Sequence, residues 1–359
     1  MMTQAAALFD PTGLTEILKA RLPYLRSDTL RRVADVVNAL IVARSTCHSA
    51  LAPHLPGTSS TAAKLRRVER CLQDEQLGDA EWLHLLLPLL PPGKLILVLD
   101  RTNWEHGRHD LNLLVLGVVI AGFTLPLVWM ALPHGGSSDM ALRQRLVARL
   151  LGHLPARRWK VLVGDREFIG ADWFSFLRRR KVKRCLRIRV DTLVDGARVD
   201  EAFADVQIGQ TVGLFDKAYV YGNLMQVVVT RSPSGDLVAL ATDLPIWETC
   251  ALYRQRLSIE CTFSSMKSRG FGLEDSTMTQ PDRLERLFGL LILAWVCCLR
   301  VGVWQAEQRP IPIKAHGRKA RSVVQYGWDA LVVAVRWATP MCQTYFSLLN
   351  QPFSAPGAA

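Results

Sequence analysis

Tyr253, Arg256, Glu260 and Lys267 fall three, four and seven residues apart in the stretch Tyr253-Arg-Gln-Arg-Leu-Ser-Ile-Glu260-Cys-Thr-Phe-Ser-Ser-Met-Lys267. At about 3.6 residues per turn these offsets return to one stripe of a helix. A phenol, a guanidinium, a carboxylate and an ammonium then share a face, and one acid is surrounded by phosphate-binding groups. A solvated helix gives the same pattern, with Arg256 and Glu260 as an i,i+4 ion pair worth only about 0.2–0.5 kcal/mol. Leu257, Ile259, Phe263 and Met266 occupy the opposite side and can pack inward, leaving the charged stripe outward or lining a cleft.

Two upstream carboxylates favour the cleft. Lys94-Leu-Ile-Leu-Val-Leu-Asp100 and Trp159-Lys-Val-Leu-Val-Gly-Asp165 read as buried, parallel-type strands, each ending in Asp where the chain meets solvent. An Asp at one strand end is commonly a turn or cap residue. Two of them, followed by a Glu on a basic helix, form a rarer set at the carboxyl ends of strands, where ligands of open α/β sheets collect. Three carboxylates brought together raise one another's pKa values unless a cation joins them. All-oxygen donors without a His or Cys cluster suit Mg²⁺ or Mn²⁺. Two such ions about 3.5–4 Å apart clamp the attacking and leaving oxygens of an in-line phosphoryl displacement. The neighbouring Arg and Lys residues then face a nucleic-acid backbone.

With these residues in place, the chain resembles the DDE transposases of the insertion-sequence-four group. Tyr253, Arg256, Glu260 and Lys267 match the signature Y-x2-R-x3-E-x6-K, and Asp100 and Asp165 fall where that family's first two acids belong. Asp165-Arg166-Glu167-Phe168 looks like its second-acid motif, and His316-Gly-Arg-Lys-Ala-Arg321 is similar to a basic segment near its C-terminus. The resemblance runs from about residue 60 to 335 on the order of elements. It implies an RNase H-like mixed-sheet catalytic core with a β-rich insertion between the second Asp and the Glu.

The pattern along the chain agrees. Leu111 to Phe123 and Thr124 to Pro133 are apolar segments. Ser138 to Leu154 is helical with Met140, Leu142, Leu146 and Leu150 on its apolar side, and Asp172 to Lys181 is a second helix. Arg184 to Val190 alternates basic and apolar residues as a strand, with Arg187 and Arg189 facing one way. From Asp191 to Leu244 the reading is strand and turn, with a Ser-Pro-Ser-Gly turn at 232–235. The expected organisation is a helical, possibly DNA-binding domain at 1–85, the first part of the core at 90–190, the insertion at 191–246, the rest of the core with C-terminal helices at 247–345, and a disordered tail at 351–359.

In the N-terminal part, Val33, Val36, Val37, Leu40 and Ile41 recur at helical spacing. Ser59-Ser60-Thr61 caps a second helix carrying Lys64, Arg66, Arg67 and Arg70. A helix-turn-helix variant and a plain helical packing module both satisfy this pattern.

The net charge of +12 and pI near 9.6 favour a polyanionic partner and disfavour a phosphatase acting on small substrates. Basic residues gather at Arg178, Arg179, Arg180, Lys181, Lys183, Arg184, Arg187 and Arg189, beside the second acid. DNA contacts are expected from Tyr253, Arg256, Lys267, Arg166, Arg187 and Arg189, and from Lys314, Arg318 and Lys319, where simple solvation is an equal reading. Glu167 reads as a metal neighbour or as the local partner of Arg166. The resemblance implies a base near the cleavage point flipped onto an aromatic ring, for which Trp247 and Trp104 are candidates, with ordinary packing the stronger reading of each. Eight scattered cysteines show no zinc spacing, and no signal peptide precedes them, so reduced thiols in a bacterial cytoplasm, near the nucleoid, are expected. Leu111–Pro133 and Leu287–Trp304 have spanning length. The first splits at a turn and the second is interrupted by Arg300, so both read as buried core, and no membrane partner is expected.

The expected function is a transposase. Asp100, Asp165 and Glu260 hold two Mg²⁺ ions, with Mn²⁺ able to substitute, and cut double-stranded DNA at the element's ends. The freed 3′-hydroxyl then attacks target DNA. The resemblance alone implies a hairpin step between the two. Pairing two ends implies an oligomer in the DNA complex. The alternatives are a nuclease that cuts without joining and an inactive DNA-binding derivative.

Overall fold

The computed structural model describes residues 12–132, 134–214, 216–315 and 317–354. The chain divides into two compact units, a helical one (residues 1–92, 103–111 and 262–359) and a sheet unit (residues 93–102 and 112–261).

The helical unit begins with α1 (Thr12–Arg21), α2 (Ser27–Ala43), α3 (His48–Leu51), α4 (Thr61–Gln73) and α5 (Asp79–Leu86). The expected apolar stripe of α2 is buried at Val33, Val36, Val37, Leu40 and Ile41. Ser60 caps α4, its hydroxyl accepting from the Ala63 amide at 3.3 Å. The short α3 stands between α2 and α4. Arg67 of α4 is spent on an ion pair with Asp35 of α2, so one of the four basic residues of α4 serves packing.

Asp35 is 1% exposed, and only its Oδ2 meets Arg67; Oδ1 has no partner among the described residues. Burial pushes its carboxyl from 3.8 to about 6, with Arg67 pulling the other way. Because the folded value is raised, the stability tied to this group is complete below about pH 4 and is lost as pH rises through about 6. That gap corresponds to at most about 3 kcal/mol. Urea unfolding of Asp35→Asn and wild type should coincide near pH 4, with the variant more stable by up to that amount at pH 8. Equal stability at both pH values would refute the assignment.

The strands and the helices among them follow in chain order: β1 (Leu95–His106), β2 (His109–Ile120), β3 (Phe123–Ala131), α6 (Met140–His153), β4 (Trp159–Gly164), α7 (Ala171–Arg179), β5 (Arg184–Ile188), β6 (Leu193–Val194), β7 (Ala197–Arg198), α8 (Val199–Ala202), β8 (Thr211–Gly213), β9 (Ala218–Val220), β10 (Asn223–Arg231), β11 (Leu237–Thr242), α9 (Ile246–Arg254) and α10 (Leu257–Met266). One mixed sheet runs in the order β3-β2-β1-β4-β5-β11-β10-β9-β6-β7, with β8 also on β10. β1, β4 and β5 are mutually parallel and β2 and β3 antiparallel. The two apolar segments fold back at Ala121-Gly122, both at positive φ, which a two-residue hairpin turn requires. Strands β6 to β11 occupy segment 191–246, and β11 pairs antiparallel with β5, so this segment extends the same sheet.

Two expectations about the site's elements need correction. β1 does not end at Asp100. It continues to His106, because the strand stays in the ladder beside β2 after its pairing with β4 stops at Leu99↔Gly164. Nor does one helix carry the stripe from Tyr253 to Lys267. Gln255 and Arg256 form a turn between α9 and α10, in which the amides of Gln255, Arg256, Ser258 and Ile259 donate to carbonyls three residues back, and the Ser258 hydroxyl also donates to the Gln255 carbonyl at 2.6 Å. Tightening by one residue breaks the 3.6-residue ladder without Gly or Pro.

The helical unit is completed by α11 (Pro281–Gln308), α12 (Val323–Trp337) and α13 (Met341–Ser347). The most apolar window of α11 is long enough to cross a bilayer, and 89% of it is buried inside the protein, with Arg300 donating to the Leu348 carbonyl at 3.1 Å. Of the tail expected to be disordered, Gln351–Ser354 is held: Phe353 is 2% exposed and its amide donates to the Leu89 carbonyl at 2.8 Å. An apolar ring at that position outweighs the Pro- and Ala-rich composition. Residues 355–359 lie outside the described residues.

Candidate active site

The last parallel pair, Leu99↔Gly164, makes Asp100 and Asp165 the next residues on neighbouring chains, which in parallel sheets run about 4.8 Å apart. Each acid is fixed by the amide that follows it. The Arg101 amide donates to Asp100 Oδ1 at 2.8 Å, and the Arg166 amide to Asp165 Oδ1 at 2.7 Å.

The Gln255–Arg256 turn brings the third acid to this pair. Arg256 donates from Nη1 to Asp100 Oδ2 at 3.0 Å and from Nη2 to Glu260 Oε1 at 2.5 Å. Its side chain is 14% exposed, that of Asp100 16% and that of Glu260 54%. Arg187 of β5 lies 3.7 Å from Asp165. Burial pushes the Asp100 carboxyl up to about 6, opposed by the Arg101 amide and Arg256 and reinforced by Asp165 and Glu260. Burial also pushes the Tyr253 phenol upward, with Asp165 adding to it, and the Tyr253 hydroxyl has no partner among the described residues.

Three carboxylates offer hard oxygen donors that fit a divalent cation. Among the described residues, however, no three acidic, His or Cys groups converge on one point as metal ligands do. The positive charge at the acids is supplied by Arg256. The donor chemistry fits a hard cation; the side chains are arranged around a guanidinium.

A cavity of about 1250 Å³ opens beside Asp165, lined by Arg166, Arg187, Arg189, Arg198 and Arg231 among others. Arg231 is occupied by the carbonyls of Val206, Gly235 and Ala204, and Arg198 by Asp200. Arg166, Arg187 and Arg189, expected from sequence to meet DNA, do share this cavity. The remaining expected contacts are elsewhere. Lys267 belongs to the helical unit, where its ammonium lies 5.7 Å over the Trp104 ring, donates to the Asn103 carbonyl at 2.8 Å and pairs with Glu274 at 3.0 Å. Trp104 is thus 7% exposed with one face covered, whereas Trp247, at the start of α9, is 85% exposed. Lys314, Arg318 and Lys319 sit on an exposed turn of the helical unit, closed by the Lys314 amide donating to the Arg318 carbonyl at 2.9 Å. His316, of the same basic segment, lies outside the described residues.

The sequence reading missed Arg101. Its Nε donates to Glu167 Oε2 at 2.6 Å, so the partner of Glu167 is the arginine after the first acid and not its neighbour Arg166. The available signal was a repeated dipeptide, Asp100-Arg101 and Asp165-Arg166, at two strand exits.

The stretch of chain that carries these residues matches a known family. The family model described as the transposase DDE domain matches residues 91–297, more than half of the chain, and the protein belongs to that family. A comparison with curated proteins found no significant match. Among solved structures, the chain is similar to the one described as a cryo-EM structure of the piggyBac transposase synaptic complex with hairpin DNA, at 11% identity and a TM-score of 0.46, covering 97% of this chain and 84% of that one.

Proposed function

We propose that the protein is a transposase of the insertion-sequence-four type that cuts double-stranded DNA at the ends of its element and joins the freed ends to target DNA. The observation that carries this reading is Arg256 holding Asp100 and Glu260 together while Asp165 leaves the neighbouring parallel strand at the same level. Two acids 160 residues apart in the sequence thus share one phosphate-binding group, and the third stands at the exit of the strand next to the first. The strand order β3-β2-β1-β4-β5, with β1, β4 and β5 parallel and β2 paired antiparallel with β3, supports an RNase H-like core.

In this mechanism Asp100, Asp165 and Glu260 would hold two divalent cations, Mg²⁺ or Mn²⁺. When bound, these supply polarisation of the attacking and leaving oxygens in an in-line displacement. Arg256 exchanges its carboxylates for an end phosphate, which its fork can bind in bidentate fashion. The unpartnered Tyr253 hydroxyl donates to the same backbone, and Lys267 binds a further phosphate. Arg166, Arg187 and Arg189 carry the strand through the cavity beside Asp165. Trp247 offers an exposed ring for an unpaired base. The complex that pairs two ends contains more than one copy, and the protein works at the nucleoid in the bacterial cytoplasm.

The test is incubation of the purified protein with labelled DNA carrying the element's ends, with Mg²⁺ and with chelator. Metal-dependent nicks at the ends followed by joined products are expected. Cleavage without joining would replace this reading by a nuclease, and salt-sensitive binding without either activity by a DNA-binding derivative.

A further inference from the structure

We propose that Arg101 and Glu167 form a clamp that sets the spacing and rotation of Asp100 and Asp165, making both positioning residues for the acid pair; this rests on the reading of those acids as cation holders. Arg101 directly follows Asp100, and Glu167 stands two residues after Asp165. Their ion pair, Nε to Oε2 at 2.6 Å, ties the two strand exits together with both side chains about four-fifths buried, at 23% and 20% exposure.

The second oxygen of Glu167 is also held. Oε1 accepts from the Ser138 amide at 3.2 Å and from its hydroxyl at 3.3 Å. Ser138 is 4% exposed and is itself fixed by Arg143, which donates from Nε to the Ser138 hydroxyl at 2.8 Å and from Nη2 to its carbonyl at 2.5 Å. The Arg143 guanidinium lies 5.2 Å over the ring of Phe168, a fully buried residue adjacent to Glu167. The loop before Ser138 is anchored by Asn112 of β2, whose amide donates to the Gly136 carbonyl at 2.8 Å. Glu167, Ser138, Arg143 and Phe168 thus close a ring of contacts, to which Arg101 of β1 is joined through Glu167.

This network reaches the acids through their backbone. The Arg101 amide is the donor to Asp100 Oδ1, so holding Arg101 by its side chain holds the carboxylate rotamer. On the other side, the Phe168 amide donates to the Asp165 carbonyl at 2.9 Å and the Arg166 amide to Asp165 Oδ1, so the turn carrying Glu167 holds the second carboxylate. A partly exposed ion pair adds little stability, but a polar network that engages both oxygens of Glu167 fixes its geometry. Outer partners that orient ligands commonly change cation affinity by about 10- to 100-fold.

The experiment measures Mn²⁺ binding to the DNA-free full-length chain by calorimetry for wild type, Glu167→Gln, Arg101→Gln, the double variant and Arg101→Lys, with thermal unfolding of each. Each single Gln variant should bind Mn²⁺ about tenfold more weakly. The double variant should be no worse than either single one, Arg101→Lys should recover part of the loss, and melting should hardly move. Wild-type affinity in Glu167→Gln would overturn the clamp. A loss in Glu167→Gln with none in Arg101→Gln would overturn it too, marking Glu167 as a direct ligand, as would losses that merely follow melting or no Mn²⁺ binding by wild type. End cleavage by wild type in Mg²⁺, measured alongside, separates the two readings. Cleavage without the pattern of variants removes only the clamp; the pattern without cleavage supports the clamp and removes the transposase assignment.

Discussion

Glu260→Gln is expected to lower end cleavage and strand joining by on the order of 10³-fold or more, the scale seen when one group that stabilises transition-state charge is lost from an active site. The substitution is nearly isosteric, and the Gln oxygen can still accept from Arg256, which now reaches Glu260 at 2.5 Å, so the turn and α10 should persist. At 54% exposure the side chain contributes little to folding, and its charge can be removed without leaving a buried group unpaired. DNA binding at low salt should be retained or slightly tightened, since one negative charge leaves the phosphate-binding face. Asp100→Asn should be equally inactive, although its buried position makes a change in melting part of the result. The check is single-turnover cleavage of labelled end DNA with binding measured in parallel. A Glu260→Gln protein that keeps a tenth of wild-type cleavage would remove Glu260 from the reacting centre.

What the sequence disclosed of this centre follows from which physical signals are local. Asp165 was readable because a continuous apolar run, Val161 to Gly164, is buried on both faces and stops at the acid. Asp100 was readable as an acid after a similar run, but the continuation of β1 was not. Residues 101–106 keep the alternation of a strand, with Thr102 and Trp104 buried and Asn103 and Glu105 exposed, while their polar identities read as loop. Helical periodicity placed Arg256 beside Glu260 correctly, even though a tight turn breaks the helix just before it. Periodicity says which residues share a face and nothing about a partner 156 positions away, so the bond from Arg256 to Asp100 was beyond it. Charge was the least specific guide. In the basic run from Arg178 to Arg189, Arg187 and Arg189 line the cavity, but Arg184 is 2% exposed and takes no part in it.

Arg184 carries the second large effect. Its Nε and Nη2 donate to Asp243 Oδ2 and Oδ1 at 2.7 and 2.8 Å, and its Nη1 to the Phe174 carbonyl at 2.8 Å and to Asn223 Oδ1 at 3.0 Å. Its backbone amide also meets Asp243, at 2.8 Å. One guanidinium therefore ties β5 to α7, to the start of β10 and to the residue after β11, where segment 191–246 joins the parallel strands. Arg184→Ala leaves Asp243 with only the backbone amide of residue 184 and takes the guanidinium donor from the Asn223 amide oxygen and the Phe174 carbonyl; removing one partner of a buried pair costs about 3–5 kcal/mol. Replacing both partners, as in Arg184→Met with Asp243→Leu, should recover much of this, because the penalty comes from the charge left behind. Chemical denaturation of the three proteins checks the argument: a loss under about 1 kcal/mol in Arg184→Ala would mean that water satisfies these groups and the network does not hold the strands. Because β5 also bears Arg187, 3.7 Å from Asp165, a loosened Arg184 should blunt cleavage even where the fold survives. The junction of β5 and β11 then links the stability of the sheet to the placement of the second acid.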